Sequence, residues 1–131
     1  MPFSSGQYMI TSAGTDKHVG CHPNEGDEFG PKDIYSDDFC DAMWELEAQS
    51  NDEYILKQRG TPVAPFQDHL AVFQTHDEPC KWQIRDTGED DVYEIVKCGS
   101  NRGWVQQGNK VNVTEMTGTP ADRFYIYKAG Y

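Results

Sequence analysis

Apolar and polar residues alternate along this chain in short runs bounded by Gly, Pro, Asn and Asp. No long stretch repeats apolar residues at helical spacing. A period of two puts successive side chains on opposite faces of an extended backbone, so the pattern predicts half-buried strands joined by turns. Beyond the repeated motifs described next, strands are expected near 18–21, 33–35, 62–64, 70–73, 103–106 and 111–114, with helix limited to single turns. Gln107-Gly108-Asn109-Lys110 reads as the tight turn of a hairpin between the last two.

Two motifs each occur three times. One opens with Gly6-Gln7-Tyr8-Met9-Ile10, Asp52-Glu53-Tyr54-Ile55-Leu56 and Asp91-Val92-Tyr93-Glu94-Ile95. The other closes with Met43-Trp44-Glu45-Leu46, Lys81-Trp82-Gln83-Ile84 and Arg123-Phe124-Tyr125-Ile126. The tyrosines are 46 and 39 residues apart, and the closing aromatics 38 and 42. A period near 40 at two independent landmarks marks internal repetition. Each closing motif has an aromatic at i and an aliphatic at i+2, so Trp44, Trp82 and Phe124 should form one core layer. Three repeats of about four strands, near 6–50, 51–89 and 90–131, predict a single all-β domain over 1–131. The architecture that suits them is the β-trefoil, a pseudo-three-fold barrel closed by a cap of hairpins. A closed barrel leaves no sheet edge to pair with another chain, which favours a monomer.

Composition narrows the function classes. The chain has 131 residues with 12% aromatic and 37% hydrophobic content, enough for a modest core built around large rings. The formal net charge is −11. Nucleic-acid binders concentrate Lys and Arg, and anionic membranes attract basic segments, so neither partner is expected. The surface acidity would favour a cationic partner, or serve only solubility. The N-terminal residues lack a basic and an apolar signal region, and no apolar run could span a bilayer, so a cytoplasmic location is expected. Cys21, Cys40, Cys80 and Cys98 show no CxxC spacing and are expected to be reduced.

The sequence shows no catalytic motif. His18, His22, His69 and His76 are scattered, and no HExxH or His-x-His occurs, so no metal or cofactor is predicted. Asp37, Asp38 and Asp41, and likewise Glu89, Asp90 and Asp91, read as solvated turns. No Gly-x-Ser-x-Gly elbow is present, and Gly99-Ser100-Asn101-Arg102-Gly103 is a turn with no helix after it to cradle a phosphate. The expectation is a protein that binds and does not catalyse.

A binding site is sought where the repeats differ. The segment from His22 to Lys32, HPNEGDEFGPK, is far longer than its counterparts, 65–69 in the second repeat and the turn at 107–110 in the third. Its prolines restrict the unbound backbone and so reduce the ordering cost of binding.

The opening motif at 6–10, the closing motifs at Trp44 and Trp82 and the terminal Phe124-Tyr125-Ile126-Tyr127-Lys128 together resemble the cospin-like mushroom β-trefoil inhibitors of serine proteases. The resemblance spans nearly the whole chain. It implies that a loop enters the protease cleft like a substrate, with an asparagine on the second-to-third strand loop at the primary specificity position. Asn24, flanked by Pro23, Glu25 and Gly26, is the matching residue. Trypsin-like enzymes prefer Lys or Arg there, which makes Lys32 a second anchor. Other mushroom trefoils use different loops, including the one before the last strand, here 117–121, which has no basic residue, and related ones that block papain-like proteases use loops of the first repeat such as 13–15. The rival reading is a carbohydrate-binding lectin. The Gln-x-Trp of ricin-type lectins is absent, and the sugar site expected on this reading is Asn101, Arg102 and an exposed Trp104.

Overall fold

The computed structural model describes residues 3–22, 32–38, 40, 43–72 and 79–128. The strands are β1 (Gly6–Ser12), β2 (His18–Gly20), β3 (Lys32–Asp33), β4 (Tyr35–Asp37), β5 (Met43–Ala48), β6 (Glu53–Gln58) and β7 (Thr61–Phe66). They continue as β8 (His69–Val72), β9 (Trp82–Asp86), β10 (Val92–Lys97), β11 (Arg102–Gln107), β12 (Lys110–Glu115) and β13 (Phe124–Lys128). Two single 3-10 turns, Ser50–Asp52 and Pro120–Asp122, are the helical elements among the described residues.

Six strands close a ring. Antiparallel pairings run from β1 to β5, β5 to β6, β6 to β9, β9 to β10, β10 to β13 and back from β13 to β1. These six are the opening and closing motifs of the three repeats. The remaining strands pair as β2 with β4, β7 with β8 and β11 with β12, and contacts of β12 with β4 and β8 and of β3 with β8 join them into a cap. This is the β-trefoil that the repeats predict. Cap strands β7, β8, β11 and β12 fall within two residues of the expected positions. The strand expected at 33–35 is instead two, because Ile34 serves two neighbours at once. Its N–H donates to the Leu70 carbonyl at 3.0 Å, and its own carbonyl accepts from Val111 N–H at 3.2 Å.

The core follows the repeat. Trp44, Trp82 and Phe124 are each fully buried, as are Ile34, Leu70 and Val111 beneath the cap. Two residues outside the three-fold pattern fill the middle. The ring of Trp104 lies 5.2 Å from Trp44, 5.9 Å from Trp82 and 5.7 Å from Phe124, so it touches the closing aromatic of every repeat. Phe3 does the same for the opening tyrosines, edge-on to Tyr8, Tyr54 and Tyr93 at 5.1, 6.2 and 5.0 Å. Edge-to-face packing at such distances adds to the gain from burial alone. The Tyr54 hydroxyl also donates to the Phe3 carbonyl at 3.1 Å and accepts from the Phe3 N–H at 3.0 Å.

Candidate functional site

The three repeats connect their cap strands differently. In the second, β7 and β8 turn through Gln67 and Asp68, both at positive φ. In the third, Gly108 and Asn109 make the turn between β11 and β12. In the first, residues 21–31 separate β2 from β3. The predicted anchors Pro23, Asn24, Glu25 and Gly26 lie outside the described residues. The structure describes the two ends of the loop that holds them, and both ends are tied to the scaffold.

At the entry, Cys21 is buried and its N–H donates to Gln58 Oε1 at 2.8 Å. Gln58 is itself fully buried at the end of β6, and its Nε2 donates to the Met43 carbonyl at 2.8 Å. One buried side chain thus fastens the loop entry to two barrel strands. A buried amide left without such partners would be costly, so the arrangement is specific. Next, the His22 ring stacks on Tyr35 at 3.9 Å and an interplanar angle of 7°. Its Nε2 lies 2.6 Å from Asp37 Oδ2. Asp37 Oδ1 accepts from the Cys40 thiol at 3.1 Å. Burial pushes the Cys40 thiol up to about 12, and its hydrogen bond to Asp37 adds to the rise. The sulfur is therefore a protonated donor at neutral pH and not a nucleophile.

At the exit, Lys32 is a strand residue and not part of a free loop. It pairs with Val72, and Asp33 pairs with Ala71. Lys110 Nζ reaches Asp33 Oδ2 at 2.9 Å and sits over the Tyr35 ring at 5.5 Å. Tyr35 therefore contacts His22 on the entry side and Lys110 on the exit side. The entry end thus rests on the Tyr35 ring directly, and the exit end is linked to the same ring through Asp33 and Lys110.

Several expectations change here. Trp104 is not exposed but fully buried between the three repeats, so no sugar ring can stack on it. Asn101 is exposed in the turn before β11 and Arg102 is exposed as the first residue of that strand, where it faces Asp68 at 3.5 Å. Asp37 is a half-buried strand residue bonded to His22 and Cys40, not a solvated turn, whereas Asp38, Glu89, Asp90 and Asp91 are exposed as expected. His22 belongs to this cluster, His69 Nδ1 meets Asn112 Oδ1 at 2.7 Å, and His76 and Asp41 lie outside the described residues. Two determinants of the loop root escaped the sequence reading. Gln58 is one polar residue among many, and Cys40 carries no spacing signal toward His22.

A second loop is fully described. Residues 117–120 are exposed, yet they are held from below by Asp122, which is completely buried. Asp122 Oδ2 accepts from Thr117 N–H at 2.6 Å and Gly118 N–H at 2.5 Å, and Oδ1 accepts from the Thr117 hydroxyl at 2.8 Å. The loop passes close to Gly14. A methyl group added to Gly14 would sit 3.3 Å from the Pro120 carbonyl oxygen, which favours the smallest residue there.

Comparisons with known proteins bear on the fold and the family. A curated serine protease inhibitor from Lentinula edodes is 32% identical over 107 residues, 77% of this chain and 72% of that one. The structure of a proteinase inhibitor from Coprinopsis cinerea superposes with a TM-score of 0.81 at 22% identity, covering 97% of this chain and 99% of that one. The lactose-bound ricin B-like lectin of Macrolepiota procera shares the fold at TM-score 0.69 and 15% identity, covering 98% and 99%. The model of the peptidase inhibitor I66 family matches residues 1–126, and the chain belongs to that family of peptidase inhibitors.

Proposed function

We propose that this protein inhibits serine proteases by presenting the 22–32 loop to the enzyme's cleft as a substrate is presented, with Asn24 at the primary specificity position. The observation that supports this reading most directly is the fixing of both loop ends. Cys21 is held by Gln58, and His22 and Asp33 are joined through Tyr35 and Lys110. An inhibitor differs from a substrate in how little its bound loop can relax after attack. A root restrained on both sides keeps the two sides of the attacked bond together, so cleavage is slow or reversed. It also reduces the entropy lost on docking. Among the described residues nothing comparable supports glycan binding, because Trp104 is buried.

The test is a panel of trypsin-like, chymotrypsin-like and papain-like enzymes titrated with the protein. Stoichiometric loss of activity is expected for at least one serine enzyme. No inhibition of any serine enzyme at micromolar protein would sink the proposal, and inhibition confined to papain-like enzymes would replace it. The net charge of −11 gives a second readout. Association with a cationic protease should slow as salt rises from about 0.01 to 0.15 M, where the screening length falls from about 30 to 8 Å, while dissociation changes little.

A further inference from the structure

The entry cluster has a donor set that the inhibitory reading does not use. His22 Nε2, an Asp37 carboxylate oxygen and Cys40 Sγ all lie within 4.8 Å of one another. Imidazole, carboxylate and thiolate together suit a borderline-soft ion. Zn²⁺ accepts all three, whereas Ca²⁺ and Mg²⁺ call for oxygen donors.

The distances are close to those a metal would need. Donors at about 2.0–2.1 Å (N, O) and about 2.3 Å (S) around a tetrahedral ion stand roughly 3.3–3.6 Å apart. Here Nε2 and Oδ2 are 2.6 Å apart, and Sγ and Oδ1 are 3.1 Å apart. Protons now bridge these pairs. Replacing them by an ion requires each of these two pairs to separate by less than about 1 Å, within the reach of side-chain rotation, while Nε2 and Sγ already stand within 4.8 Å of each other. The frame is already built. The His22 ring is held flat against Tyr35 with Nε2 turned to Asp37, and Asp37 lies on β4 beside β2, in register with His18. His22 and Asp37 side chains are 30% and 22% exposed, which leaves the cluster open to water on one side.

We propose that His22, Asp37 and Cys40 form a Zn²⁺ site at the root of the 22–32 loop, with water as the fourth ligand. On binding, the Cys40 S–H bond breaks and its proton leaves to solvent. The Nε2 lone pair turns to the metal with the ring proton on Nδ1, and Asp37 binds as carboxylate. Thiolate and carboxylate balance the ion's two positive charges, and nothing is oxidised or reduced. The inference goes beyond the inhibitory reading and does not depend on it.

The test uses tag-free protein titrated with Co²⁺ as a coloured stand-in for Zn²⁺. One equivalent should produce a thiolate-to-cobalt charge-transfer band that Zn²⁺ bleaches. Cys40→Ser should abolish the band and Cys21→Ser should leave it. Asp37→Asn, which preserves shape, should weaken Co²⁺ binding at least tenfold, and this remains decisive if Cys40→Ser does not fold. Zn²⁺ at about a hundred times its Kd should raise the Tm of the unaltered protein by roughly 10 °C. Absence of a charge-transfer band, its persistence in Cys40→Ser, or Co²⁺ affinity unchanged in Asp37→Asn would overturn the proposal.

Discussion

Trp104 stands on a cap strand yet touches the closing aromatic of each repeat, because a three-fold arrangement of rings leaves a space on its axis that one further ring can fill. Trp104→Ala should cost about 3–5 kcal/mol. That is a large share of the roughly 5–15 kcal/mol by which domains are stable, and denaturant titration should show a sharp fall in midpoint. A change below about 1 kcal/mol would mean that the ring does not fill the core. The cysteines make a second prediction at this scale. Burial pushes the Cys98 thiol from its ordinary 9.0 up to about 11, and a hydrogen bond with Glu53 adds to the rise. A folded-state value above the unfolded one contributes stability that is complete below pH 9 and is lost as pH climbs from 9 toward 11. The urea midpoint should therefore fall across that window, and less steeply in Cys98→Ser. An identical slope in the variant would contradict the assignment. Periodicity made Trp44, Trp82 and Phe124 legible as core. It could not reveal Trp104 or Phe3, because each breaks the three-fold symmetry to fill a space that the symmetry leaves.

At the level of elements, the barrel strands follow from alternation and the cap hairpins from their turn residues. The departure is at Ile34. Its backbone donates to one hairpin and accepts from another, so a single expected strand becomes β3 and β4. Such a junction depends on long-range pairing and leaves no local trace. Gln58 is equally invisible in sequence, since its role comes from where β6 ends relative to Cys21 and Met43. Gln58→Ala removes both bonds and should destabilise the fold by about 1–3 kcal/mol. It should also convert slow cleavage of the 22–32 loop by the target protease into faster turnover, followed as temporary inhibition that decays with time. Inhibition that persists as in the unaltered protein would show that the Gln58 fastening does not restrain the loop. The asymmetry of that loop was legible, because comparison of the three repeats exposes an insertion directly. The way its ends are tied was not, because His22 follows β2, Tyr35 and Asp37 lie on β4 and Lys110 begins β12, and they meet only in the fold.

At the scale of the molecule, one closed barrel carries several loops between its strands. Two of them are anchored to the scaffold by different means. The 22–32 loop is tied at its ends, and the 117–121 loop is held from below by Asp122. Parallel measurement of inhibition constants separates them most directly: the unaltered protein, Asn24→Ala and Thr119→Ala against the most strongly inhibited serine protease, with thermal unfolding confirming that each variant is folded. The account predicts that Asn24→Ala weakens inhibition by roughly thirtyfold or more, the scale of a central contact worth at least about 2 kcal/mol, while Thr119→Ala stays within about threefold. Inhibition unchanged by Asn24→Ala but lost in Thr119→Ala would contradict it and move the site to the loop above Asp122.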